Sequence, residues 1–248
     1  MKTAAVIQAR ISSTRLPGKA LKKLCGLPLT QHVIERVKKI SGVSRIILAT
    51  GDRPENRPLI DLSNDLGIES FSGSEDDVLS RYWNAVENLD CDYLIRITGD
   101  NPFIDFESAS QALNHAVSNN ADHSYVKGIP LGTGVEIIRK SALEKAFVHG
   151  TTPYQREHVT PYIKENPGIF KLSHFQADMD NPFPHLRLTV DTEEDFTVAE
   201  ILYNALYKGE PVPLIDLIEY VKLNPSIIEI NRNVEQRPMT HSSISDEK

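Results

Sequence analysis

The residues best suited to chemistry are three cations in the loop that follows the first predicted strand, residues 4–7. Arg10, Arg15 and Lys19 lie within ten residues, with no carboxylate among them. A guanidinium group offers a planar fork of donors to phosphate oxygens, and an ammonium group offers a compact point charge. Further donors in this loop are Ser12, Ser13, Thr14 and Gly18. The pattern predicts an anion-binding loop, and the alternative is a solvated basic stretch.

Two common phosphate-binding motifs are excluded at this loop. A P-loop requires an earlier glycine and a Ser or Thr directly after its Gly-Lys pair, but Gly18-Lys19 has no glycine upstream and is followed by Ala20. A dinucleotide-binding fingerprint requires G-x-G-x-x-G after the first strand, and none is present. Any phosphate site here is therefore of another kind.

A second group of candidate residues follows the predicted central strand, residues 93–97. Asp100 comes directly after Gly99, and ligands in open α/β sheets lie at the carboxyl ends of strands. A carboxylate at this position is a candidate Mg²⁺ ligand, and the alternative is a turn former ahead of Pro102. Asp191 stands in the same relation to the predicted strand 186–190.

The elements that must position these groups alternate between strand and helix patterns. Further strands are predicted at 44–50, 67–71, 124–126, in the segment that ends at 139, and at 170–175. Helices are predicted at 29–39, 59–66, from the acids at 75–77 to about 89, and at 106–117, 141–148, from 192 onward, and 213–223. This alternation predicts a three-layer α/β/α fold, Rossmann-like, with a mostly parallel sheet. We expect one domain over residues 1–230 and a tail, 231–248, whose end is flexible.

Composition excludes several classes of protein. The chain has 248 residues, 40% of them hydrophobic, and a net charge of −7, which argues against a nucleic-acid partner. Its N-terminus lacks a signal-peptide core, and no stretch approaches the length of a membrane helix, so a cytoplasmic location is the default expectation. Cys25 and Cys91 are too few for a disulfide framework, and we expect both to be packing residues.

The stretches 7–10 and 15–19 resemble the nucleotide-binding loop of the CMP-sugar cytidylyltransferases, which include CMP-KDO and acylneuraminate cytidylyltransferases. The likeness is strongest to the spore coat polysaccharide biosynthesis protein F branch and continues at 99–104, 156–163 and 190–195. The resemblance implies a nucleotide-diphospho-sugar transferase-like fold, catalytic roles for Arg15, Lys19, Asp100 and Asp191, and Mg²⁺ held by Asp100 and Asp191. It also implies nucleotide contacts from Gln8, Ala9, Arg10, Arg15, Lys19, Gly73, Ser74, Arg81 and Asp100.

The resemblance further implies that the segment 127–139 faces the acceptor sugar. The candidate acceptor residues are Gly132, Thr133, Glu136, Arg156 and His158. The glycines of this segment could instead form a sharp bend, and Gly134 stands where many relatives carry Asp. Arg156 and His158 could bind the acceptor or lie at a homodimer interface, and surface charge is the simpler interpretation of a lone histidine.

The function implied is Mg²⁺-dependent transfer of CMP from CTP to an acidic sugar, with release of pyrophosphate, for surface polysaccharide biosynthesis. One alternative is a nucleotidyltransferase that uses another nucleoside triphosphate or a sugar phosphate or phosphonate acceptor, which fold analogy cannot exclude. The other is a non-catalytic nucleotide-binding protein. A scaffold would need none of the charges that stand together at 10, 15, 19, 100 and 191.

Overall fold

The computed structural model describes residues 1–179, 183 and 185–236, which alternate between strands and helices. Strands β1 to β9 are Thr3–Gln8, Lys23–Leu24, Leu27–Pro28, Arg45–Gly51, Glu69–Gly73, Tyr93–Thr98, His123–Lys127, Glu136–Arg139 and Phe175–Gln176. Helices α1 to α10 are Leu29–Lys38, Arg57–Asp65, Val78–Val86, Phe106–Ser118, Lys140–His149, Pro153–His158, Pro161–Glu165, Glu193–Leu206, Leu214–Leu223 and Ser226–Ile230. The short helices α6, α7 and α10 are additions to the predicted set.

The main sheet has seven strands in the order β5-β4-β1-β6-β8-β7-β9. β1 lies between β4 and β6 and is parallel to both, while β8 is antiparallel to its neighbours β6 and β7. β5 and β9 add parallel pairs at the two edges. The predicted mostly parallel mixed sheet is therefore confirmed. The chain crosses to the other side of β1 when it enters β6, and this switch point opens a crevice at the carboxyl ends of the strands.

Two apolar cores cover the two faces of the sheet. Side chains alternate along β1, so that Ala5 and Ile7 pack with α1, α4, α8 and α9, while Ala4 and Val6 pack with α3 and α5. All four residues are fully buried. Because successive residues of a strand point to opposite faces, one short apolar run anchors both helical layers. This is the predicted three-layer arrangement.

Two predicted strands are wrong in extent. Residues 186–190 form no strand: the segment touches the sheet region through an isolated bridge between Leu131 and Arg187, and Leu188 donates its N–H to the Leu131 carbonyl at 2.8 Å. The predicted strand 170–175 shrinks to an isolated bridge at Leu172 and to β9. In the segment 186–190 the apolar residues are buried, but the backbone bonds to Leu131 and Asp100 and not to a strand. In the segment 170–175 Phe170 is buried while Leu172 is 37% exposed, and the end of the segment pairs with β7.

The helix starts near the crevice differ from one another in their capping. The predicted Thr192–Asp195 capping box forms at α8 and fixes the chain just after Asp191. At α3 the cap is Asp77, whose carboxylate accepts from the Ser80 N–H, while Ser74 supports Asp77 from outside the helix. The acids before α3 therefore differ in role.

Three further expectations concern the periphery. Cys91 is half-buried, but Cys25 is exposed in the turn between β2 and β3 with a φ of 48°, so the packing role expected of Cys25 is wrong. In the predicted tail, Asn231 is buried and donates to the Arg187 carbonyl at 3.0 Å. The expected flexible end falls on residues 237–248, which lie outside the described residues. Among those described, no helix is both long and apolar enough to cross a membrane.

Candidate active site

A cleft of about 890 Å³ opens at the carboxyl ends of β1 and β6. Its floor requires close contact between the two strand ends: the Gly99 N–H donates to the Gln8 carbonyl at 2.7 Å. A Cβ atom at Gly99 would lie 2.8 Å from the same carbonyl oxygen, so a larger residue would push these ends apart. The glycine ahead of Asp100 therefore lets the chain pass directly over β1.

The basic loop forms one wall of the cleft and is held by a buried anchor. Arg10, Arg15 and Lys19 all line the cleft, while Leu16 between them is almost fully buried in the core. Gly18 has a φ of 68°, a left-handed conformation that turns the chain into the short helix Lys19–Leu21. The loop thus presents its cations to one side because its apolar residue is fixed on the other.

Lys19 joins the two predicted metal-binding acids. Its ammonium group donates to Asp100 at 3.0 Å, to Asp191 at 2.9 Å and to the Val190 carbonyl at 2.8 Å. Burial by itself lowers the pKa of Lys19, but the Asp100 and Asp191 carboxylates outweigh it and raise the pKa above its ordinary value. Lys19 is therefore cationic at neutral pH.

Asp191 is the most heavily paired acid of the cleft. One carboxylate oxygen accepts from Lys19 and lies 3.0 Å from Arg15, and the other accepts from Arg187 at 2.7 Å. Arg187 is itself held by Asp195 of the α8 capping box, at 2.9 Å. Burial raises the pKa of Asp191, but its cations outweigh burial and leave the pKa below its ordinary value. Asp191 is therefore a fixed anion.

The carboxylate oxygens of Asp100 and Asp191 are ligands of the kind that a divalent cation such as Mg²⁺ binds. A backbone hydrogen bond of 2.8 Å from Val190 to the Asp100 carbonyl ties the two segments together, and one ammonium group contacts both carboxylates. Mg²⁺ is usually held by one or two carboxylates together with waters and substrate phosphates. Among the described residues, no group of three or more His, Cys, Asp or Glu side chains could hold a metal ion. The arrangement thus suits a metal that arrives with a triphosphate.

Glu75 fixes the start of the basic loop. It is only 4% exposed, accepts hydrogen bonds from the Ser12 hydroxyl and the Asn56 amide, and lies 3.6 Å from Arg10. Asn56 also accepts from the Ile11 N–H at 2.9 Å. Burial raises the pKa of Glu75, but these hydrogen bonds and the Arg10 charge leave it below its ordinary value. Glu75 is therefore an anion built into the loop support.

Comparison with known proteins decides the family. A family model described as Cytidylyltransferase matches residues 4–232. The chain belongs to this family. The recognition made from the sequence motifs is confirmed, and the protein is a nucleotidyltransferase.

Relatives and solved structures of this cytidylyltransferase match over nearly the whole chain. An uncharacterized protein of Methanocaldococcus jannaschii is 39% identical over 240 residues, which are 96% of this chain and 97% of the relative. The spore coat polysaccharide biosynthesis protein SpsF of Bacillus subtilis is 31% identical over 225 residues, covering 89% and 94% of the two chains. The structure of a cytidylyltransferase from Leptospira borgpetersenii has a TM-score of 0.86 and 29% identity, covering 96% of this chain and all of that one.

Most of the predicted nucleotide residues meet in the cleft of this cytidylyltransferase, but not all of them. Those on its wall are Gln8, Ala9, Arg10, Arg15, Lys19, Arg81 and Asp100, and Asp191, predicted as a metal ligand, lies there with them. Gly73 and Ser74 are not among the lining residues. Arg81 is 2% exposed and donates to the carbonyls of Ser74 and Glu75. In this structure Arg81 therefore supports the turn before α3.

The predicted acceptor residues divide between the wall of the cleft and its support. Gly132, Arg156 and His158 line the cleft. Thr133 is fully buried and donates its hydroxyl to the Pro130 carbonyl, and Glu136 belongs to a cluster of ionic side chains; neither is among the lining residues. Both acceptor roles stay predictions.

Arg156 and His158 differ in what they have available for a substrate. Arg156 pairs with Asp77 and donates to the Phe147 carbonyl at 2.9 Å, so it ties α6 to the start of α3 and the end of α5. Burial lowers the pKa of His158 below its ordinary value; Glu157 opposes this shift, while Arg96 and Lys164 add to it, and the neutral ring is favoured. His158 is thus a neutral wall residue, and Arg156 is a structural tie at the rim.

Two further charged residues contribute to the site and were not predicted from the sequence. Arg96 lines the cleft from within β6, and Arg187 positions Asp191. A charge inside an apolar strand was the available signal for Arg96, because such a residue needs a partner or a function. Arg187 stands between Leu186 and Leu188, where the same signal applies.

Proposed function

We propose that the protein transfers CMP from CTP to a hydroxyl group of an acidic sugar and releases pyrophosphate, in a Mg²⁺-dependent reaction. The observation that carries the proposal is the meeting of the basic loop with Asp100 and Asp191 through Lys19. The family supports cytidylyl transfer, and SpsF, a spore coat polysaccharide protein, supports a sugar acceptor. By the same reasoning we place the product in surface polysaccharide biosynthesis.

The residues of the cleft act by positioning and by charge. Arg10, Arg15 and Lys19 hold the triphosphate so that its α-phosphorus faces the acceptor. Asp100 and Asp191 would hold Mg²⁺, which when bound supplies positive charge to the phosphates and the leaving pyrophosphate. As the bond from sugar oxygen to α-phosphorus forms, the bond to the bridging oxygen breaks and pyrophosphate takes its electron pair. The hydroxyl proton is released to solvent.

The test is pyrophosphate release with each of the four nucleoside triphosphates against a panel of acidic sugars. We expect release with CTP and at least one acid, dependent on Mg²⁺. Asp100→Asn should reduce it by orders of magnitude. Asp61→Asn, which removes an exposed carboxylate of α2 outside the cleft, should not. Equal turnover of all four nucleotides would contradict the cytidine assignment, and turnover only with sugar phosphates or phosphonates would contradict the acidic-sugar assignment.

A homodimer and a cytoplasmic location are further parts of this proposal. The cytoplasmic location is the default expectation from the sequence pattern, the homodimer is an expectation from the resemblance, and neither is needed for the chemistry of the cleft. Light scattering of the full chain tests the first, and cell fractionation tests the second.

A further inference from the structure

Arg96 is an unusual residue for its place in the fold. It lies in β6 between Ile95 and Ile97, which are 0% and 1% exposed, and it is flanked by β1 and β8. Removing a charge from water costs several kcal/mol unless partners compensate it, so an apolar residue would serve the sheet as well or better. The side chain of Arg96 is 17% exposed, and its exposed part lines the cleft.

The guanidinium group of Arg96 is only partly paired. It donates to Glu136, directly opposite in β8, at 2.7 Å, and more weakly to the Gln8 side chain at 3.3 Å. Its Nε atom is buried and has no partner among the described residues, so the group is only partly satisfied. A guanidinium group has five N–H donors, so the described partners use fewer than half of them.

Arg96 belongs to an ionic cluster with Glu136, Lys164 and His123, and this cluster carries more positive than negative charge. Glu136 also lies 2.5 Å from Lys164 and 3.2 Å from the Nε2 atom of His123. One carboxylate therefore faces two permanent cations. The other acid that acts on Arg96 is Asp100, which lines the same cleft and is itself paired with Lys19. Glu157 on this wall is exposed, and water screens its charge.

A second arginine shows what a purely structural pair looks like in this sheet. Arg45 of β4 pairs with Glu69 of β5 through two hydrogen bonds, at 2.7 and 2.6 Å. Both bonds go to one carboxylate on the exposed end of the strands, outside the cleft. Arg96 differs because its fork is only partly matched and it borders a cavity.

We propose that Arg96 binds the carboxylate of the acidic acceptor and that Glu136 is the positioning residue that holds Arg96 at the wall of the cleft. This inference rests on the proposed function, and it names the residue that selects acids over neutral sugars. The fork of a guanidinium group matches a carboxylate at two points. Glu136 retains Lys164 and His123 as partners, so replacing Arg96 does not leave a buried carboxylate alone.

The test compares an acid with its own methyl ester, which keeps the ring and hydroxyls but removes the charge. Calorimetry measures binding of 3-deoxy-manno-octulosonate, N-acetylneuraminate, glucuronate and their esters to the full chain with Mg²⁺ and the non-reacting analogue α,β-methylene-CTP. We expect the parent to prefer its best acid roughly ten- to hundredfold over the ester, as one charge-assisted contact provides. Arg96→Gln should abolish the preference without changing ester binding, and Arg45→Gln should keep it.

Several results would overturn the inference. They are a parent that binds none of the acids, a preference that persists in Arg96→Gln, and a loss of nucleotide affinity in that variant with unchanged acid binding. If Arg96→Gln does not fold, Arg96→Met replaces it, and a preference that persists there is equally contrary because the side chain carries no charge to distinguish the acid from its ester. Pyrophosphate release is measured separately, so an acid that binds through Arg96 without turnover contradicts the proposed function and supports this inference.

Discussion

Replacing Asp191 by Asn is expected to destabilise the ligand-free protein, whereas replacing Asp100 is not. The Asp191 side chain is 10% exposed and contacts Lys19, Arg15 and Arg187, while that of Asp100 is 28% exposed and pairs with Lys19 only. Asn keeps one carbonyl oxygen but removes the charge, so it weakens every contact that Asp191 makes with a cation. In Asp100→Asn only one ion pair, the partly solvated pair with Lys19, is weakened.

The magnitude follows from these contacts. Hydrogen bonds to charged groups contribute about 1.5–3 kcal/mol, and we expect a loss in that range for Asp191→Asn but within about 1 kcal/mol for Asp100→Asn. For a chain of this length about 1.5–3 kcal/mol corresponds to a fall in Tm of roughly 3–12 °C. The assays are urea unfolding and a thermal melt at pH 7 without nucleotide or metal.

The pH dependence gives the prediction a sign. Because the pKa of Asp191 is lowered in the folded protein, its contribution is fully present above the unfolded value, near 3.8, and is lost as pH falls through the lower folded pKa. The difference between parent and Asp191→Asn should therefore be constant near neutral pH and shrink below about pH 4. An Asp191→Asn protein as stable at pH 7 as the exposed control Asp61→Asn would refute the reasoning.

Three other perturbations follow from the cleft. Lys19→Ala should strengthen Mg²⁺ binding in the absence of nucleotide, since the ammonium group no longer competes for Asp100 and Asp191; calorimetric titration showing weaker binding would contradict this. Glu75→Gln should weaken CTP binding about five- to tenfold, because a neutral amide holds Ser12 and Arg10 less firmly, and unchanged affinity would show that the loop needs no such support. Gly132→Ala should lower stability and activity together, since a Cβ atom there would lie 2.3 Å from the Thr189 nitrogen and φ is 90°. In the matched control Gly134→Ala the Cβ atom would meet the Ile129 side chain at 3.5 Å and the Val126 carbonyl at 4.0 Å, which are ordinary contacts, so this variant should melt within about 2 °C of the parent.

The sequence was sufficient for the architecture because the strands of the sheet centre are apolar on both faces. Two-sided burial produces short continuous runs such as residues 4–7, and these are distinct from helical periodicity. The same reasoning failed at 186–190, where alternating Leu and Val look like a strand. The backbone there bonds to Leu131 and Asp100, and no sequence pattern reports which partner a backbone finds.

The site was predictable where a residue type alone limits its role, and not where a tertiary contact decides it. Three cations without acids in one loop, and an acid after a strand, allowed a phosphate site on chemical grounds, and the resemblance to the cytidylyltransferases favoured it over a solvated loop and a turn former. Among the acids before α3, however, Asp77 became the helix cap and Glu75 the loop support. That division depends on Asn56 and Ser12, which are 19 and 63 residues from Glu75.

The contrast expected between Asp100 and Asp191 shows the same limit. In the sequence Asp100 and Asp191 look alike, because each directly follows a predicted strand or its glycine, and Asn serves turns and caps as well as Asp. The structure separates them, because Arg187 reaches Asp191 from inside the fold. A buried partner four residues away in the chain is visible only once the segment is folded.

The most direct measurement of the central claim follows the phosphorus atoms of CTP. The full chain is incubated with Mg²⁺, an acidic sugar of the panel and CTP labelled at either the α- or the γ-phosphorus, and the products are separated. The account predicts α-label in a CMP-sugar, γ-label in pyrophosphate and no label retained on the protein. Label transferred from the γ-position to the sugar, or release of γ-label as free phosphate, would contradict it.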